Sequence, residues 1–76
     1  MVYTIIENQL LTNGNWNLLY WHYEDENQAF AKFYTVLAAA AVSEIPYHAG
    51  FMFDTAGNMV DRKVFDRRTT EEQINE

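Results

Sequence analysis

Asp25-Glu26-Asn27-Gln28-Ala29-Phe30-Ala31-Lys32-Phe33-Tyr34-Thr35-Val36-Leu37-Ala38-Ala39-Ala40-Ala41-Val42-Ser43 is the stretch on which the fold turns. Asp25 is a good N-cap, Gln28 stands three positions on as the reciprocal member of a capping box, and Glu24 and Glu26 complement the positive end of a helix dipole. Phe30, Phe33, Tyr34, Leu37 and Ala41 fall within about 100° of arc at 3.6 residues per turn. They form the stripe expected to pack on a sheet, while Lys32, Thr35, Ala39 and Ser43 occupy the other side. Four consecutive alanines, Ala38 to Ala41, favour helix and keep it thin. Pro46 biases Ile45 toward an extended conformation, so the helix should end near Ser43 or Glu44.

Working outward, Val2 to Leu11 reads as a strand whose first half is secure and whose Glu7-Asn8-Gln9 segment is polar. Asn13-Gly14 then supplies a hairpin signal, because both residues tolerate positive φ. Trp16 to Tyr23 should return antiparallel, with Trp16, Leu18, Tyr20 and His22 on one side and Asn17, Leu19, Trp21 and Tyr23 on the other. Neither side is polar enough for open water. Beyond the helix, Tyr47 to Asp54 and Met59 to about Arg67 read as two more strands, joined by Thr55-Ala56-Gly57-Asn58 with a glycine for the left-handed position. The expected fold is α+β, in the order ββαββ, with a mainly antiparallel four-stranded sheet and one helix on one face. Strand order stays open. Residues 1–68 form one domain and 69–76 an acidic, frayed tail, since too few apolar residues follow Thr70 and Gln73 to hold a helix.

One helix covers only one side of a small sheet, and the opposite side carries rings. A partner subunit, a ligand or both is therefore expected. A chain of 76 residues buries little more than half of its unfolded surface, and with no Cys it has neither a disulfide framework nor a thiolate zinc site. Oligomerisation is the natural substitute. The lack of Cys suits a reducing cytoplasm, no apolar run approaches 18 residues, and no charged leader precedes an apolar stretch. The expectation is a cytoplasmic protein without a membrane span.

A net charge of −6 argues against nucleic acid as a bulk partner, because phosphate binding needs clustered Lys or Arg. Four of the five basic residues nevertheless lie close together: Arg62, Lys63, Arg67 and Arg68. Such an edge suits a small anion, or simply protects an edge strand from aggregation. Nucleophilic catalysis has little to work with, since Ser43 is the only Ser and sits where the helix ends. His22 and His48 lack the two-His helical spacing of a zinc site. No paired carboxylates point to acid–base work either, and neither enzyme activity, metal nor cofactor is expected.

Aromatics beside cations are the more suggestive set: Trp16, Tyr20 and Trp21 on the second strand, Tyr47 and His48 after the proline, Arg62 and Arg67 on the fourth strand. A purine stacks on rings or guanidinium planes and its phosphates want Arg forks. Trp21, Tyr47, His48, Arg62 and Arg67 are the candidate ligand-binding residues, although a chain with 16% aromatics must also place most of its rings in a core or an interface.

Asn27-Gln28-Ala29, Lys32, Leu37 to Ser43, Pro46-Tyr47-His48, and Asp54 with Gly57 carry a resemblance. Over roughly residues 2–68 the chain resembles short uncharacterised proteins encoded in phages and prophages of gut Firmicutes. The resemblance implies a mobile-element origin and no particular activity. Phages keep small proteins to counter host defence or as accessories of virion assembly and lysis. Two readings follow: an oligomeric binding protein that sequesters a nucleotide-derived immune signal, and a protein-interaction module acting on a host defence protein or in the virion.

Overall fold

The computed structural model describes residues 2–68. The tail expected at 69–76 lies outside the described residues. Along the chain run β1 (Tyr3–Leu10), β2 (Trp16–Tyr23), α1 (Glu26–Ala41), β3 (Tyr47–Phe53) and β4 (Met59–Asp66). The four strands form one sheet in the order β2-β1-β3-β4, antiparallel at every pairing. The expected ββαββ architecture is therefore present, and α1 crosses β1 to connect β2 with β3. β2 and β4 are the edges.

Both hairpins close through the same loop. At the first, the Gly14 N–H donates to the Leu11 carbonyl (3.0 Å) and the Leu11 N–H to that of Asn15 (2.8 Å). At the second, Gly57 donates to Asp54 (3.1 Å) and Asp54 to Asn58 (3.0 Å). Gly14 and Gly57 have φ of 89° and 87°, whereas no other residue type among the described residues adopts positive φ. A three-residue loop needs one left-handed residue at its end, so Asn13 stays right-handed and only the glycine of the Asn-Gly pair supplies that conformation.

Asp25 caps α1 as expected, but its Oδ1 accepts from the Asn27 N–H (3.3 Å). The helix stops at Ala41 with Val42 as C-cap, slightly before Ser43. Its buried face also differs from the expected stripe. Ala29, Phe33, Val36 and Ala40 are buried, Phe30 and Leu37 flank them, and Tyr34 and Ala41 are exposed. Small side chains at 29 and 40 let the backbone approach the sheet, and Tyr34 keeps its hydroxyl in water. The approach is close at Gly50, where an added Cβ would lie 3.1 Å from Leu37 Cδ2. Ile5, Ala29, Phe33 and Met52 form the core, with Tyr3, Trp21, Tyr23, Phe30 and Leu37 packed around them.

The polar half of β1 is fully part of the sheet. Glu7 lies on the helix side and is buried against His48, and Gln9 Oε1 accepts from Asn17 Nδ2 across the β1–β2 pair (3.0 Å). Pairing thus satisfies side chains that look, in isolation, like a strand's end. No helix among the described residues is long and apolar enough to cross a membrane.

Candidate functional site

The registers divide the sheet into two surfaces. Because side chains alternate along a strand, Tyr3, Ile5, Glu7, Leu19, Trp21, His48, Met52 and Phe65 share the helix side with their register partners. Thr4, Ile6, Asn8 and Leu10 of β1 turn the other way, beside Trp16, Leu18, Tyr20 and His22 of β2 and Tyr47, Ala49, Phe51 and Phe53 of β3. Val64, Arg62 and Asp66 continue that surface on β4. No element among the described residues covers it. Trp16, Leu18 and Tyr20 remain 57%, 59% and 63% exposed.

The five candidate ligand residues do not converge. Trp21 is half-buried on the helix side, with Lys32 Nζ 4.4 Å from its ring centroid. His48 is buried under the helix. Arg67 Nη2 donates to the Ala41 carbonyl (2.6 Å), a cation placed at the negative end of the helix dipole, and its guanidinium lies 5.5 Å from the Phe65 ring. Tyr47 and Arg62 face the open surface, where Arg62 stands opposite Phe51 on the edge strand. A pocket using all five would have to pass through the sheet.

His48 and Glu7 make the one buried imidazole–carboxyl hydrogen bond among the described residues, with Nδ1 2.7 Å from Oε2. A carboxylate partner implies that Nδ1 carries the proton. His48 Nε2 is buried without a partner. The arrangement resembles a base held by an acid, yet no substrate reaches that nitrogen from solvent, so the pair acts on packing and register in this conformation. Ser43 is equally occupied, its Oγ accepting from the Ile45 N–H (3.0 Å). His22 Nδ1 lies 3.2 Å from Thr4 Oγ1. Among the described residues no three His, Asp or Glu side chains gather where a metal ion could sit.

A different grouping does assemble at the end of the sheet. An open cleft of about 330 Å³ is lined by Leu10, Leu11, Thr12, Gly14, Pro46, Arg67 and Arg68. The first hairpin loop supplies one wall, and the chain leaving β4 supplies the cations. Arg68 also binds Asp66 twice, through Nε (2.9 Å) and Nη2 (2.7 Å), and lies 5.1 Å from the Tyr47 ring. These bonds hold the Asp66 carboxyl at a pKa of about 2, below its ordinary 3.8. Tyr47 in turn meets Trp16 edge to face at 5.7 Å. Aromatic rings, a guanidinium and an apolar floor therefore adjoin one another here. Arg68 and Trp16 were legible as part of a basic run and an aromatic set, but only the β1–β3 register brings them to one end. No family model, curated protein or solved structure matches this chain.

Proposed function

We propose that the protein works by binding, and that it takes a planar anion of nucleotide type at the cleft beside Tyr47. The observation that carries this reading is the convergence of Arg67 and Arg68 on a cleft whose Arg68 wall lies over the Tyr47 ring, which itself meets Trp16 edge to face. A base would lie on the rings while phosphate meets the guanidinium forks, each of which has five N–H donors. Arg67 gives one of its donors to Ala41. We infer, with the resemblance to phage and prophage proteins as support, that the ligand is a nucleotide-derived immune signal met in the bacterial host cytoplasm and that its sequestration blunts antiviral defence. Calorimetry against cyclic and linear ADP-ribose derivatives and cyclic dinucleotides, with inorganic phosphate as a control, tests it. Micromolar binding that Arg68→Ala weakens supports the reading; silence across the panel removes it.

A second reading, docking on a host defence protein, is favoured by the exposed acids Glu24, Asp25 and Glu26 at the start of the helix. Recovery of a basic host protein by the wild type and not by a triple Gln/Asn variant would support it.

A further inference from the structure

We propose that the uncovered face of the sheet is a self-association surface on which a second copy of this chain packs face to face. This inference shares Trp16 with the ligand reading but does not depend on that reading, because it rests on the middle of the face and its test substitutes Leu18 and Tyr20, away from the cleft at its end.

The first support is area. Aromatic side chains bury about 150–250 Å² each, so Trp16 and Tyr20, at 57% and 63% exposure, hold roughly 250 Å² of ring in water. Leu18 adds its 59% exposure, and Met59, opposite Phe53, adds 49%. Four strands spaced about 4.8 Å apart and rising about 3.3 Å per residue give a footprint of roughly 450 Å² before side-chain relief is counted. With that relief the face offers roughly 600–800 Å² per copy, close to the half-interface of a standard stable complex. Its exposed apolar part, gathered on Trp16, Leu18, Tyr20 and Met59, is a patch of the size that often marks an interaction site.

The second support is charge. The chain carries −6, yet of the acidic residues in the strands, Glu7, Asp61 and Asp66, only Asp66 belongs to this face, and Arg68 holds it. Glu7 and Asp61 lie on the helix side. Two acidic chains can therefore meet here without opposing carboxylates, whereas a nucleic acid would find only Arg62 and Arg68 in reach. Asn8 stands at the middle of the face between Leu18 and Ala49. In an isologous pair a residue near the two-fold axis meets its own copy, and an amide can both donate to and accept from another amide. Trp16, Leu18 and Tyr20 of one copy would cover Phe51 and Phe53 of the other. Each sheet then has a lid on both sides, the helix on one and its twin on the other.

Sedimentation velocity of the full chain, at concentrations up to about 100 μM, tests this with three proteins. The wild type is expected at twice the 8.9 kDa chain mass. Leu18→Lys with Tyr20→Lys should weaken the dimer by at least about 100-fold, because four lysines would enter a dry interface. Tyr34→Lys, on the outer face of the helix, should leave the dimer intact. Circular dichroism checks folding, and Leu18→Thr with Tyr20→Thr replaces the lysine variant if it fails to fold. A monomeric wild type overturns the proposal, including one that instead floats with lipid vesicles. So does a dimer that survives the sheet substitutions.

Discussion

The buried Glu7–His48 pair offers a quantitative test of how this small fold is held together. The pair is 2.7 Å long, Glu7 and His48 are 6% and 3% exposed, and His48 Nε2 has no partner. Replacing Glu7 by Leu would strand the imidazole beneath the helix with neither nitrogen bonded. Breaking such a pair costs about 3–5 kcal/mol. A domain of 76 residues has only roughly 4–11 kcal/mol in total at 0.05–0.15 kcal/mol per residue. Glu7→Leu and His48→Leu should each therefore bring the protein near its unfolding threshold. The double variant behaves differently, because it removes both polar groups at once and also the standing penalty of the unbonded Nε2. It should lie within about 2 kcal/mol of the wild type. Urea unfolding of the four proteins, followed by far-ultraviolet circular dichroism and tryptophan fluorescence, closes the cycle. A coupling energy of at least about 4 kcal/mol is expected, because two single losses of about 3–5 kcal/mol collapse to one within about 2. Additive single effects, with coupling under about 0.5 kcal/mol, would refute the view that the pair is a mutually dependent buried unit.

Other expectations follow from particular contacts. Asp66 should titrate near pH 2 rather than 3.8 in a carbon-detected NMR experiment. Its folded pKa is depressed, so the stabilisation by Arg68 is fully present above the ordinary value and is lost as pH falls from 3.8 through about 2. Arg68→Ala should return the titration to the usual range. Gly14→Ala and Gly57→Ala each force a Cβ into the left-handed region and should cost about 1–2 kcal/mol in urea, by equal amounts because the two loops are alike. Asp25→Ala removes the N-cap bond to Asn27 and should cost about 1 kcal/mol, a loss that Ser at the same position largely restores.

Much of the fold can be read along the chain, because the signals that define it are local. Asp25 begins a helix, Pro46 forbids its continuation, and the two Thr-x-Gly-Asn segments make loops, each for reasons contained within a few residues. Strand boundaries came within about two residues for the same reason. Strand order did not emerge, since the partner of β1 across the sheet is chosen by contacts such as Ile5 with Met52 and Glu7 with His48 that lie more than 40 residues apart. The helix stripe was misplaced because side-chain size is a poor guide where close approach decides. Phe30 and Tyr34 are larger than Ala29 and Ala40, but the alanines are the buried ones, while Leu37 and Phe33 fill the space over Gly50. Candidate site residues suffered most. Residue type suggests that Trp21, Tyr47, His48, Arg62 and Arg67 could serve one ligand, whereas alternation along the strands divides them between two surfaces. The Tyr47–Trp16 contact and the Arg68 stack depend on a register that no spacing in the sequence encodes.

The account rests on the uncovered face being occupied by its own copy. An isotope-filtered NMR experiment on a mixture of labelled and unlabelled chains observes that contact directly. Intermolecular cross-peaks linking Trp16, Leu18 and Tyr20 to Phe51 and Phe53 are predicted, with none from Tyr34 or Ala41. A spectrum without intermolecular peaks at millimolar concentration, or with peaks confined to the helix, would contradict it.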